Sequence, residues 1–435
     1  MSSTLVQDVI DDGQVSGQQL LVVILCLIFN MVDGFDITAM AIVAGAVSTD
    51  LVLSAEKLGW IFSFALAGMM VGAMVLAPVS DLVGRRKAII FSVTLVGVSI
   101  LLTARATTLT EFILLRFVSG IGAGAMLACQ ATLAAEYSPD KYRALSVAAV
   151  TSGYPLGAMC TSVVAGLIMP DHGWRYMFWF GGALTLLMGL VALLFIPESI
   201  KYLVDRRPTN ALDRINKILR KLRKKELTEL PGAPTSAMQK NGLVGVVKKL
   251  LTEHRAVTLT LWLTFVLCFA TLYFLMSWIP KLMEDSGFST QMGRHAFFLF
   301  NFGGVVGIFS LGFMSIRWKL SNLIAVLLFM SAVGMVLFAL APKQLTLLLT
   351  LIFFIGVLMQ GGFTGLYGAA AKAYPTEIRS TGIGWAIGLG RSGAVVGPAV
   401  AGYMIAAGLD MSTNFYIFAV PMVVAAFVSY RLRIR

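Results

Sequence analysis

Asn30, Asp33 and Asp36 stand three residues apart inside a long apolar stretch. On a helix this spacing keeps all three on one flank. A charge at the centre of a hydrocarbon layer costs at least about 2.5–3.5 kcal/mol on insertion scales. A flank with two carboxylates must therefore face a wet cavity or a partner. Burial and a neighbouring like charge govern when a carboxyl binds its proton, so such a pair suits loading and unloading one. The competing reading is a permanent salt bridge from one Asp to an arginine. Arg116 and Arg391 are the basic residues that lie inside apolar runs.

Elements able to hold such charges follow from the apolar lengths. A bilayer core about 30 Å thick takes about 20 apolar residues per helix. The stretches that qualify are 18–48, 57–80, 87–105, 109–136, 142–168, 174–196, 256–283, 292–316, 320–340, 344–372, 379–407 and 412–431. They predict an all-α membrane protein with twelve transmembrane helices in two six-helix halves, 18–196 and 256–431. The tails are 1–17 and 432–435, and a basic linker fills 197–255. Within the linker, 209–226 reads as a basic helix on the membrane surface. Pro231 and Pro234 interrupt it, and 242–253 reads as a second short helix.

Composition agrees with a lipid solvent. The chain is 58% hydrophobic and 13% charged, against roughly a quarter charged in a soluble domain. Lys and Arg gather in 85–87, 141–143, 201–255, 317–319, 372–379 and 431–435, which alternate with the other loops. Cytoplasmic loops collect these residues, so the pattern predicts that both termini are cytoplasmic. The surplus of +12 is then topology, not nucleic-acid binding. Cys26, Cys129, Cys160 and Cys268 fall in apolar stretches at unrelated spacings. They read as small buried thiols, with neither a disulfide framework nor a metal site. Asp8, Asp11 and Asp12 do not match the positive start of a cleavable leader.

One element occurs twice. Tyr137 and Pro139 precede Arg143, and Tyr374 and Pro375 precede Arg379, each arginine four residues after its proline. Each copy closes the fourth long helix of its half and opens the fifth, which indicates duplication. Proteins built from such repeats bind substrate near the midplane, between the halves.

Between the second and third apolar stretches stands Asp81-Leu82-Val83-Gly84-Arg85-Arg86-Lys87. The glycine suits a tight turn, and the acid can cap the third helix or pair across a helix gap. The segment resembles the G-x-x-x-D-R-x-G-R-R signature of the major facilitator superfamily, with Ala77 and Leu82 departing from it. Arg116-Phe117-Val118-Ser119-Gly120, Gly153-Tyr154-Pro155-Leu156-Gly157, Pro197-Glu198-Ser199 and Glu377-Ile378-Arg379-Ser380-Thr381-Gly382 also resemble that superfamily, from about residue 20 to 430. At a finer level, Asp33-Gly34-Phe35-Asp36 resembles the D-G-x-D signature of the aromatic acid:proton symporters. Arg391-Ser392-Gly393-Ala394 and Gly397-Pro398 look like the same family.

The resemblance implies inward symport of protons with benzoate-like acids in a bacterial inner membrane. The physics is consistent: an inside-negative potential opposes an anion by about 2.3 kcal/mol per 100 mV, and one proton cancels that opposition. A carboxylate favours a planar bidentate arginine over lysine, which makes Arg391 the expected ligand. Its alternative role is to neutralise Asp33 or Asp36. Arg116 resembles the family's fourth-helix arginine linked to proton transfer, with a structural arginine as the alternative. Flat apolar walls with a few polar groups suit an aromatic ligand. Candidates near mid-helix are Gln130, Tyr154, Tyr273, Asn301, Phe302, Gln360, Tyr367 and Trp385; Trp385, Gly388 and Arg391 share one flank. Asp81, Arg85, Arg86, Glu136 and Arg143 are expected to build a cytoplasmic gate, with Glu377 and Arg379 as counterparts. His172, His254 and His295 lie at loop edges and are not expected to relay protons.

A proton-coupled importer of aromatic carboxylates leads these readings, acting as a monomer without cofactor or metal. An exporter of drugs or metabolites uses intramembrane acids too, but the D-G-x-D match and a mid-helix arginine favour an anion. A non-transporting sensor on the same scaffold usually adds a large cytoplasmic domain, and the longest hydrophilic piece here is the linker. Nothing in the sequence suggests an enzyme: no metal cluster, nucleophile elbow or phosphate loop occurs.

Overall fold

In the computed structural model residues 9–11, 15–230, 245 and 248–432 are described, apart from the side chains of Ala77, Ala144, Thr376, Glu377, Arg379 and Ser380. Regular structure among the described residues is helical, without strands. We label the helices α1 (Gly17–Asp50), α2 (Ala55–Val83), α3 (Arg85–Thr103), α4 (Leu109–Tyr137), α5 (Asp140–His172) and α6 (Arg175–Phe195). Two short helices follow, α7 (Ile200–Arg206) and α8 (Ala211–Lys221). Then come α9 (Arg255–Asp285), α10 (Thr290–Met314), α11 (Leu320–Leu340), α12 (Leu345–Ala373), α13 (Thr376–Ala406) and α14 (Met411–Tyr430). Among the described residues eleven helices are long and apolar enough to cross a membrane, and α13 packs among them.

Helix starts are set by side chains that accept otherwise unpaired backbone N–H groups. Ser16 with Gln19, and Thr108 with Glu111, form reciprocal capping boxes at α1 and α4. Ser54, Ser289 and Asp410 cap α2, α10 and α14. Of the two roles open to the acid before α3, pairing is taken and capping is not. Gly84 occupies the cap position at φ 103°, and Asp81 pairs with Arg85 one turn on. Helix α2 also contains a π-helical turn, Gly72–Leu76.

α1–α6 pack among themselves, and so do α9–α14. Without a hydrophobic drive between helices in lipid, close packing rests on small residues that let backbones meet. Gly34 lies against the Tyr154 carbonyl and Gly157 against that of Met31, joining α1 to α5. Gly393 and Gly397 meet the carbonyls of Val266 and Ala270, joining α13 to α9. Gly120 and Gly124 join α4 to α2, as Gly356 joins α12 to α10. The two sets therefore repeat their helix pairings as well as their Tyr-Pro element. Tyr137 and Tyr374 are both buried, donating to the Glu198 carbonyl (2.7 Å) and pairing with Thr258 Oγ1 (3.3 Å) respectively.

The sets meet through α1 with α9, α2 with α13 and α5 with α10. At the end remote from the Asp81–Lys87 loop, Gly59 lies against Pro398, Ala399 and Gly402, and Trp278 Nε1 donates to the Pro398 carbonyl at 3.0 Å. Phe62 packs edge-on to Trp278 at 5.3 Å. This crossing joins α2, α9 and α13 at that end.

Two sequence expectations are revised, and a third falls partly outside the described residues. Cys160 is exposed on α5; a helix in lipid has an apolar outer face, so apolar context does not imply burial. The basic helix spans Ala211–Lys221, and Ala211, Ile215 and Leu219 are buried against the chain's own apolar cluster. Its apolar stripe is covered by protein, where the sequence suggested membrane. Much of the expected 242–253 helix lies outside the described residues, which are helical at 245 and 248–252.

Candidate substrate and proton site

Midway along α1, Asn30, Asp33 and Asp36 are buried, with exposures of 0%, 0% and 2%. Asn30 Nδ2 donates to the Val150 carbonyl at 2.6 Å and so ties α1 to α5. Neither oxygen of Asp33 has a hydrogen-bond partner in the protein. Its electrostatic neighbours include Asp36 and Arg391, the latter on α13 across the junction between the sets. Asp36 turns the other way. Thr185 of α6 donates to its Oδ2 at 2.5 Å, and its Oδ1 has no protein partner. Arg116 of α4 donates Nη1 to the Asp36 carbonyl and Nη2 to the Ile37 carbonyl, each at 3.1 Å. One helix thus carries two carboxylates with different surroundings, Asp36 bonded to α6 and Asp33 within the field of Arg391 in the second set.

Arg391 is buried, and its guanidinium stands 6.0 Å from the centre of the Phe269 ring. Stacking on aromatic faces suits a guanidinium, whose charge is delocalised over a plane. Phe265, Phe269 and Tyr273 recur every four residues on α9 and form one side of an aromatic box. Phe363 and Tyr367 of α12 form another, with Phe269 and Phe363 4.8 Å apart edge-on and Phe363 and Tyr367 5.5 Å apart. Tyr154 of α5, Tyr273 and Tyr367 all lie within electrostatic reach of Arg391. Arg116, Tyr154 and Tyr273 also line an adjoining cavity, with Phe62, Met276 and Ser277 among its walls. A fixed cation beside flat rings and hydroxyls can hold a small aromatic anion.

Other expected residues spread further. Trp385 stacks on Trp262 at 6.1 Å, while the ring beside the guanidinium is Phe269. Phe302 is 42% exposed and stacks outward with Phe298 and Phe353. Next to the buried Asn301, it is turned about 100° around α10, onto a more exposed face. Asn301 donates to the Phe297 carbonyl in its own helix, and Gln360 donates to the Phe300 carbonyl at 3.5 Å. Gln130 is fully buried on α4 with both amide atoms unpartnered.

At the basic end Arg85 pairs with both Asp81 (3.1 Å) and Glu136, and donates to Ser199 Oγ at 3.3 Å. Ser199 in turn donates to Glu136 Oε2 at 2.6 Å. The Arg86 backbone N–H donates to Glu198 Oε1 at 3.0 Å, and its guanidinium to the Leu193 carbonyl. Arg143 stands apart, paired with Asp140 and donating to the Ala135 carbonyl. Glu377 and Arg379 have side chains outside the described residues. Glu198 and Ser199 were visible as the Pro197-Glu198-Ser199 motif but were not expected in this network.

A helical bundle with buried charges and rings where its two sets meet is the architecture of a membrane transporter, and the comparisons agree. Residues 24–341 and 261–435 match the Major Facilitator Superfamily. The chain is 31% identical to the 4-hydroxybenzoate transporter PcaK of Pseudomonas aeruginosa, over 97% of this chain and 94% of that one. It is 29% identical to the benzoate transport protein of Acinetobacter baylyi, over 96% and 90%. The xylose transporter XylE from E. coli, in a partially occluded inward open conformation, superposes with a TM-score of 0.77 at 17% identity, covering 96% of this chain and 98% of that one. The chain belongs to the major facilitator superfamily and, within it, to the aromatic acid transporters. It is a transporter, not an enzyme.

Proposed function

We propose that this protein imports an aromatic carboxylate together with a proton by alternating access, as a monomer in a bacterial inner membrane. Helix α13 is the twelfth span, both termini are cytoplasmic, and 197–255 links halves 18–196 and 256–431. The observation that carries the reading is the buried Arg391 guanidinium, with the Phe269 ring beside it and the Asp33 carboxylate, which has no hydrogen-bond partner, within its electrostatic reach.

Coupling follows from competition for that cation. In the empty site Asp33 and Arg391 compensate each other's charge. An incoming carboxylate takes the guanidinium as a bidentate partner, and Asp33, deprived of it in a low-dielectric site, takes a proton. Substrate anion and proton then cross together with no net charge, which removes the opposition of about 2.3 kcal/mol per 100 mV. The rings of Phe265, Phe269 and Phe363 supply the flat apolar walls; Tyr154, Tyr273 and Tyr367 supply hydroxyls. Arg116 holds the α1 backbone at Asp36 and Ile37. The network of Asp81, Arg85, Arg86, Glu136, Glu198 and Ser199 braces the cytoplasmic end, with Arg143 beside it and Glu377 and Arg379 as counterparts. The names of the relatives support an aromatic acid as cargo.

The test is uptake of labelled 4-hydroxybenzoate, benzoate, gentisate and a phenoxyacetate into proteoliposomes under an inward proton gradient. Gradient-dependent accumulation that a protonophore abolishes is expected for at least one acid. Folded protein that takes up none of them would sink the aromatic-acid reading.

A further inference from the structure

Asp36 packs against helix α6 in a way that serves a carboxyl group in either of its protonation states. Thr185 Oγ1 lies 2.5 Å from Asp36 Oδ2 and 2.8 Å from the Gly181 carbonyl oxygen one turn earlier in its own helix. Both side chains are buried, at 1% and 2% exposure. A threonine hydroxyl has one proton to donate and lone pairs to accept with, so it can satisfy only one of those two oxygens as a donor at a time. Gly181 adds the second half of the arrangement. A Cβ there would come within 2.8 Å of Asp36 Oδ1 and 3.1 Å of the Phe35 ring, so any larger residue would crowd that oxygen and make it shift.

We propose that Gly181 and Thr185 form a carboxyl seat on α6, in which the Thr185 hydroxyl reverses its hydrogen bond as Asp36 gains and loses a proton that it passes to and from its neighbour Asp33. With Asp36 ionised, Thr185 donates to Oδ2. When Asp36 takes a proton, its own O–H donates to Thr185 Oγ1, and the Thr185 proton turns to the Gly181 carbonyl. The Thr185 hydroxyl and Asp36 Oδ2 keep their hydrogen bond in either state, and no backbone movement is needed. Thr185 is thus a positioning residue for proton coupling, and the inference rests on the symport reading above.

The surroundings fit a site tuned by this one hydroxyl. Helix α6 brings Gly181, Thr185 and Phe180, the last packed on Phe35 at 5.7 Å. From α4 comes Arg116, bound to backbone carbonyls. On α1 the nearest charged group is Asp33. Tyr154 of α5 faces Arg116 and Asp33, while Tyr273 of α9 and Arg391 of α13 face Asp33. The charged residues of α2 and α10 lie towards helix ends (Glu56, Lys57, Asp81; Arg294).

Thr185→Val keeps the shape and removes the hydroxyl; Thr185→Ser keeps the hydroxyl. A bond to a charged acceptor is stronger than one to a neutral partner, so Val penalises the ionised state more. For the acid that the panel identifies, proton-driven net uptake by Thr185→Val should fall about tenfold. Its pH profile should move about one unit to the alkaline side, since one unit corresponds to a tenfold preference. Exchange of internal for external substrate, which needs no proton release, should stay within about twofold. Thr185→Ser should restore both net uptake and profile. A wild-type pH profile in Thr185→Val overturns the seat. So does equal loss of exchange and net uptake, which marks a merely structural role. A wild type that takes up acid without taking up protons overturns the symport reading itself and the seat with it. Proton-coupled wild type with an unaltered valine variant removes the seat alone.

Discussion

Replacing Arg391 by lysine keeps the charge and loses the planar fork and its stacking on Phe269. We expect Arg391→Lys to lower uptake of the carried acid at least about tenfold, because a point charge cannot make the bidentate contact. Phe269→Leu removes the ring and retains an apolar wall. Its expected effect is a severalfold higher KM with kcat little changed, the pattern of lost uniform binding. Both are read from initial rates across substrate concentrations. Asp33→Asn should abolish accumulation and retain exchange, measured in the same vesicles with and without a gradient. The charged residues were legible beforehand because a lone ion in an apolar run has a large cost. Phe269, Phe363 and Thr185 were not, since 28 phenylalanines occupy the chain and threonine is ordinary in membrane helices. The four-residue spacing of Phe265, Phe269 and Tyr273 was a signal of sorts, but a lipid-facing stripe has the same period. Phe302 shows the converse error: polar Asn301 marked the region, and the next residue faces away.

At the scale of elements, the contacts that matter most are backbone to backbone. Gly402 faces the Ala55 carbonyl, the Gly59 Cα and the Trp278 ring. Gly402→Leu should therefore hold α2 and α13 apart and leave the far end open. Modification of a cysteine engineered into the central cavity, by an impermeant reagent added outside, should become severalfold faster, while uptake falls. Gly84, at φ 103° with the Glu198 carboxylate 2.5 Å from where a Cβ would stand, is a second such point. Gly84→Ala should cost about 1–3 kcal/mol in backbone conformation alone and push the Glu198 carboxylate away from Arg86. A lower melting temperature of the detergent-solubilised protein is the expected readout. Helix positions followed directly from apolar length, since lipid admits few alternatives. The burial of α8 did not, because an amphipathic stripe has the same pattern whether lipid or protein covers it.

Over the whole molecule, the pairing of α1 with α5 and of α9 with α13 through glycines matches the repeat suggested by the two Tyr-Pro elements. That internal repeat was legible because it leaves residues at corresponding places. The different surroundings of Asp33 and Asp36 were not, since spacing puts them on one flank and only the neighbouring helices separate them. The crossing at the far end has a further bearing on the cell that carries this protein. Gly59, Gly402, Ala399, Pro398, Trp278 and Phe62 include no titratable side chain. A file of water molecules through that end would conduct protons by hopping, and on the symport reading such a leak would short-circuit the membrane. On that reading the indole clamped on the Pro398 carbonyl is expected to act as electrical insulation. Cells producing Trp278→Ala should acidify faster in medium lacking any aromatic acid.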